Sequence, residues 1–175
     1  KAVAKLVSDQ VALRPEETVR ISLDKGTLTV APHASGALAY QVEFIAESRP
    51  WFFRLFGGKD AASKGCEDCS ASYSPEKGLV IRTGKGLSSV VKIAVPARQP
   101  LEVRLSAGSA EIGALAGKVD ASVDSGALNY DASALAAGVC VEATVKVGVV
   151  ENERDVNCRS VGAKLHTKTG TVSVN

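Results

Sequence analysis

The sequence predicts an all-β protein in which an N-terminal β-sheet leads into a parallel β-solenoid of single-strand coils about 20 residues long. Three observations point there. A short strand–glycine–strand frame recurs at near-constant spacing. The apolar content of 45% is mostly Val, Ala and Leu, with 5% aromatics, no methionine and 16 glycines. Small and β-branched side chains of that kind suit closely stacked strands.

The frame is apolar, x, apolar, x, x, Gly, x, apolar, x, apolar. It occurs at Val103–Ile112 around Gly108, at Ala121–Tyr130 around Gly126, at Ala143–Asn152 around Gly148 and at Leu165–Val174 around Gly170. The glycines are 18, 22 and 22 residues apart. Alternation with period two places the apolar residues of one arm on one strand face. Glycine at the bend tolerates positive φ and close approach of the next backbone. One unit cannot bury its apolar face alone, whereas units stacked about 4.8 Å apart build a continuous core. A repeat near 20 residues is too short for a strand–helix–strand crossover with its turns. An antiparallel meander with glycine in its turns is the competing arrangement. Asn152 and Thr167 break the apolar phase, as polar residues do inside stacked coils where they find partners.

Two regions follow. Residues 1–96 form the strand region, with a loop insertion at about 47–77, and residues 97–175 form the repeats, continuous with it as one structural unit. Val19–Val30 carries the same frame around Gly26, 82 residues before Gly108. Strands are expected at 2–7, 18–24, 27–31, 37–46, 79–83 and 88–95, with Pro96 and Pro100 punctuating the start of the repeats. Asp60–Pro75, rich in Ser, Ala and Gly, is expected to be a loop.

Val91-Lys-Ile-Ala-Val-Pro96, Leu101-Glu-Val-Arg-Leu-Ser-Ala-Gly108, Val123-Asp-Ser-Gly126 and Thr167-Lys-Thr-Gly170 resemble the bacterial "putative adhesin" families of unknown function, relatives of the head-GIN domain. The resemblance covers about residues 15–175, and the Trp51–Cys69 insertion and the cysteines depart from it. It implies a right-handed parallel solenoid and an envelope location, and it supplies no catalytic residues.

Composition narrows the function. A net charge of +2 with both signs scattered argues against nucleic-acid binding, which needs a concentrated basic surface. No apolar run reaches the roughly 18–20 residues of a membrane helix. The chain begins at Lys1, as a mature or trimmed domain would, so any leader, lipid anchor or membrane helix that brings it near a membrane is expected outside this sequence. Four cysteines, Cys66, Cys69, Cys140 and Cys158, are expected to form two disulfides in an oxidising compartment, four reduced thiols being the alternative.

Arg49-Pro-Trp51-Phe52-Phe53-Arg54-Leu-Phe56-Gly-Gly-Lys59 gathers the single tryptophan and three of four phenylalanines. Trp51, Phe52, Phe53, Arg54 and Phe56 form either a contact site for a protein or membrane surface or a plug for an open solenoid end, the plug being favoured. Cys66-Glu-Asp-Cys69 has redox or metal spacing but lies in a loop rather than at a helix start, which favours a local staple. Cys140 and Cys158 lie near one coil apart, and a bridge needs the Glu151–Ser160 corner to fold back, since Gly162 occupies the position stacked on Cys140. Gly78–Gly86 lacks the spacing of a phosphate loop and is expected to be a hairpin turn. Asp120, Asp124 and Asp131 lack calcium-ligand spacing, and His33 and His166 form no nucleophile–base pair.

The sequence therefore leads to a non-enzymatic, exported envelope or cell-surface module of a bacterium, periplasmic or surface-displayed. It has no catalytic, cofactor or metal residues, its partner is a protein or cell-wall polymer, and its ends stack on another copy. A polysaccharide-active β-helix enzyme and a thiol-redox protein using Cys66 and Cys69 are the alternatives.

Overall fold

The computed structural model describes residues 3–46, 66–154 and 158–175. Ten strands form one mixed sheet, and the described residues contain no helix. They are β1 (Val3–Ala12), β2 (Val19–His33), β3 (Ala37–Ala46), β4 (Ser70–Ser74), β5 (Gly78–Arg82), β6 (Leu87–Pro96), β7 (Leu101–Ile112), β8 (Val119–Tyr130), β9 (Val139–Asn152) and β10 (Ser160–Val174). The order is β1-β3-β6-β2-β7-β8-β10-β9, and β5 joins β2 to β4.

The glycine frame sets the geometry. Within β2, Val19, Ile21 and Leu23 are buried before Gly26, and Leu28 and Val30 after it. The buried phase shifts from odd to even numbers at the bend, so both arms deliver their apolar residues to one core. The same shift occurs in β7, from Leu101, Val103 and Leu105 to Ala110 and Ile112, and in β8, from Val119, Ala121 and Val123 to Leu128 and Tyr130. The two expected strands 18–24 and 27–31 are thus one continuous bent strand.

These bends lie in register. Gly26 pairs with Gly108, Gly108 with Gly126, Gly126 with Gly170 and Gly170 with Gly148, always between parallel strands. All five have φ between 136 and 144°, a region L side chains rarely adopt. A Cβ on Gly108, Gly126, Gly170 or Gly148 would overlap the carbonyl oxygen of the preceding glycine in the stack. Glycine is required twice over, by torsion and by space. Every pair among β7, β8, β9 and β10 is parallel, which excludes the antiparallel meander for residues 101–174.

Four expectations need correction. The strands do not stack in chain order: β10 sits between β8 and β9. The core phases explain why. The β10 positions Ala163, Leu165, Thr167, Val172 and Val174 are all buried, whereas Asn152 occupies the last core phase of β9. At the end of the stack Asn152 donates to the Val141 carbonyl at 2.7 Å and accepts from the Arg154 amide at 3.0 Å. Thr167 is fully buried, and its hydroxyl donates to the Thr171 carbonyl at 3.2 Å.

Second, Gly78–Gly86 is no hairpin, because β5 and β6 both pair parallel to β2, one along each arm. They form a further bent unit whose corner carries extra residues. Asp24 caps that corner by accepting the Thr83 amide at 2.9–3.0 Å. Third, residues 70–74, inside the expected loop, form β4, antiparallel to β5. Fourth, the sheet is mixed, since β1, β3 and β6 pair antiparallel around the N-terminal side of the stack. There Ser89 stands where the glycine row would continue. It is buried, pairs with Gly26 and donates to the Lys25 carbonyl at 2.6 Å.

Corner loops extend the ladder, with Gly113 donating to Val30, Asp131 to Ile112 and Asn175 to Tyr130 at 2.7–2.9 Å. Among the described residues one buried side-chain polar group is unsatisfied: the Tyr130 hydroxyl has no hydrogen-bond partner. Burial pushes its pKa up to about 12, with Arg154 opposing and Asp131 reinforcing.

Two outcomes follow. Gly126→Ala should cost at least about 3 kcal/mol in urea unfolding, through backbone overlap and strained φ. Gly36→Ala, where a Cβ meets nothing within 4 Å, should stay close to wild type. Between pH 10 and 12 the unfolded chain has lost the Tyr130 proton that the folded chain keeps, so stability falls as pH rises through that window. Tyr130→Phe should match or exceed wild type at pH 7 and shrink that alkaline loss, leaving the share of Tyr73, also raised to about 12 by burial and Glu17.

Candidate interaction surface

Stacking in register converts the outward phases of each repeat into straight rows. On the first arm, Arg20, Glu102, Asp120, Lys164 and Glu142 line up across β2, β7, β8, β10 and β9. Beside them run Ser22, Arg104, Ser122, His166 and Thr144. On the second arm the rows are Thr27, Ser109, Ala127, Thr171, Val149 and Thr29, Glu111, Asn129, Ser173, Glu151. Neighbouring residues in a row sit about 4.8 Å apart, the strand spacing.

The two faces differ in chemistry. The first arm is a mixed-charge surface. Arg104 bridges Glu102 at 3.6 Å and Asp120 at 3.3 Å, and Arg20 meets Glu102 at 3.6 Å. Such exposed pairs contribute less than about 1 kcal/mol each. They order the surface more than they stabilise it. The second arm is dominated by short hydroxyl and amide side chains. The described aromatics Tyr40, Phe44 and Tyr130 are buried and Tyr73 is partly buried, so these faces carry no exposed aromatic platform among the described residues.

A shallow groove of about 720 Å³ crosses β1, β3, β6 and β2, lined by Asp9, Gln10, Thr29, Tyr40, Gln41 and Lys92 among others. The Tyr40 phenol lies above its ordinary pKa through burial and the nearby Asp9 carboxylate. Sequence analysis singled out neither this groove nor the rows. The row residues could have been found from the outward positions of the repeated frame, but the groove joins strands that no sequence pattern pairs.

The structure disperses the other candidates. His166 lies on the first-arm face with Nδ1 2.7 Å from the Thr144 hydroxyl, whereas the His33 ring contacts the Ala37 carbonyl at a distant corner. Asp120 pairs with Arg104, while Asp131 accepts from the Ser133 hydroxyl and from the Ser133 amide at 2.9 Å, which in that order hold its carboxyl below the usual range. Among the described residues no group of three or more His, Cys, Asp or Glu is placed to hold a metal ion. Trp51, Phe52, Phe53, Arg54 and Phe56 lie outside the described residues. The bend glycines Gly26, Gly108, Gly126, Gly148 and Gly170 form the stacked row described above.

Both cysteine pairs are bridged, Cys66 to Cys69 and Cys140 to Cys158. Cys69 is buried, and its sulfur accepts the Gly84 amide at 3.2 Å, fastening the segment before β4 to the corner between β5 and β6. Cys140 pairs with Val161 rather than stacking on Gly162, because the register slips between Val161 and Ala163. The expected fold-back of the Glu151–Ser160 corner passes through residues 155–157, outside the described residues; on either side of them Arg159 donates to Gly138 at 2.7 Å, and Arg154 donates to Leu135 and Ala136 at 2.7 and 3.0 Å. Denatured, unreduced protein should show no free thiol. From loop length, removing the Cys140–Cys158 bridge should cost about 3 kcal/mol, against about half that for Cys66–Cys69.

No protein-family model matches the chain, so the kinship with head-GIN families gains no support there. No curated protein matches it either. Among solved structures, the chain is similar in fold to a putative cell adhesion protein from Clostridium sporogenes ATCC 15579. The TM-score is 0.50 and the identity 12%, over 97% of this chain and 99% of that one. The two disulfides and this neighbour are compatible with an extracellular or surface location.

Proposed function

We propose that the chain is a non-enzymatic, adhesin-like module of the bacterial envelope, exported to the periplasm or cell surface. It is a right-handed parallel β-solenoid whose flat faces bind another protein or a cell-wall polymer. The observation that carries this reading is the pair of outward rows on each arm, where mostly polar side chains line up at strand spacing across five in-register parallel strands. A periodic surface of that kind complements an extended or repetitive partner. A catalyst instead needs a few groups converging on one reacting atom. The fold shared with a putative cell adhesion protein supports the same reading. So do two disulfides, which persist in oxidising compartments.

The first-arm face is the contact surface, because its cations Arg20, Arg104 and Lys164 lie among the carboxylates Glu102, Asp120 and Glu142 and can recognise a partner of mixed charge. Displayed on a non-adherent bacterium, the chain should raise attachment to protein-coated or sacculus-coated surfaces several-fold. The Arg20→Glu, Arg104→Glu, Lys164→Glu variant should lose most of that gain while unfolding at a similar temperature. Display without any gain in attachment, or an equal gain by the variant, would overturn this assignment.

A further inference from the structure

Sheet edges expose unpaired backbone groups that template further strands, and proteins blunt them with charge, proline or side-chain caps. In this chain β9 ends the strand order and pairs with β10 alone among the described strands. Among the described residues the edge is blunted at its start. The Val139 carbonyl accepts from Arg154 Nε at 3.2 Å, and the Val141 carbonyl accepts from Asn152 Nδ2 at 2.7 Å. Beyond that the strand continues as Ala143-Thr-Val-Lys-Val-Gly-Val-Val-Glu151. Val147, Val149 and Val150 are 61, 56 and 39% exposed there.

We infer that residues 143–152 of β9 are a self-association edge, occupied by the same segment of a second copy running antiparallel about a two-fold axis. This goes beyond the adhesin reading and does not depend on it. The bend selects the pairing. The core phases Val145 and Val150 flank the corner symmetrically, as Val123 and Leu128 do in β8. A two-fold axis through the midpoint between Val147 and Gly148 therefore superposes corner on corner, first arm on second. Val145 then faces Val150 of the partner subunit, and Ala143 faces Asn152 of the partner subunit, both pairs on the core side. Thr144 faces Glu151 of the partner subunit, and Lys146 faces Val149 of the partner subunit, both on the outer side. Shifting the alignment by one residue sets core positions against outer ones, which sheet geometry disfavours.

Charge supports the same occupant. In this register Lys146 lies diagonal to Glu151 of the partner subunit, within reach of an ion pair, and the axis produces that contact twice. The segment holds one cation and one carboxylate on opposite sides of the axis, so it is complementary to itself reversed. A parallel second copy would set Lys146 beside Lys146 of the partner subunit and Glu151 beside Glu151 of the partner subunit. The opposite end of the sheet, β1, also exposes apolar residues, Val3 at 49% and Leu6 at 58%, and serves as the control.

Sedimentation of the full chain from about 1 to 200 μM tests this. Wild type should shift from monomer to dimer as concentration rises. Val147→Lys, Val149→Lys should raise the dissociation constant at least tenfold with the melting temperature little changed, while Leu6→Lys should leave it unaltered. Lys146→Glu alone should weaken the dimer, and Lys146→Glu with Glu151→Lys should restore it, a swap that mere loss of folding would not reproduce. Four outcomes would overturn the inference: a monomer throughout the range, a dimer indifferent to the β9 changes, one abolished by Leu6→Lys, or no rescue by the charge swap.

Discussion

One contact organises this protein: at each bend the carbonyl oxygen of one glycine lies where the side chain of the next would start. Five stacked glycines make it four times, and the positive φ they share turns each strand so that both arms face one core. Because the contact is backbone on backbone, it fixes register to the residue. A slip of one position would send the whole apolar set of a strand to solvent. Val, Leu, Ile and Ala fill the interior not because any one shape is needed, but because every rung offers similar space at the same height.

Two consequences spread from that register. Inside, each core phase has a fixed depth, so the polar ones must be satisfied locally, as Thr167 is by Thr171 and Asn152 is by Val141 and Arg154. The Tyr130 hydroxyl is the described side-chain group that fails this test. Outside, the same register arranges unrelated residues into straight rows. Arg20 and Lys164 are distant in sequence yet occupy one line because their glycines do. The surface is therefore periodic without the sequence being charged in any periodic way.

The strand order links architecture to association. Placing β10 between β8 and β9 gives the interior slot to the strand with five buried core phases and leaves at the edge the strand whose final phase is asparagine. The Cys140–Cys158 bridge and the Arg154 contacts anchor the chain just after β9 and just before β10. The Arg154 and Asn152 side chains also cover the Val139 and Val141 carbonyls at the start of β9, while Val147, Val149 and Val150 stay exposed among the described residues.

How far the sequence reached can be judged from particular residues. The bends at Gly26, Gly108, Gly126, Gly148 and Gly170, the alternation of each arm, most strand positions and the two cysteine pairs were legible. Each depends on local rules: period two, the freedom of glycine at positive φ, and loop length. Parallel pairing of the repeats followed from their spacing. The order of β9 and β10, the parallel run of β5 and β6 along β2, β4 within an expected loop and the groove beside Tyr40 were not legible. The rows were implicit in the frame and became a surface only once the order was set. The sequence by itself determined the shape of each bent strand, since a bend is a matter of neighbouring residues. Only the tertiary structure decided which bent strand lies against which, because near-identical backbones stack almost equally well in several orders. The choice then falls to long-range terms: which strand buries its last apolar phase, and which tolerates an amide at the open edge.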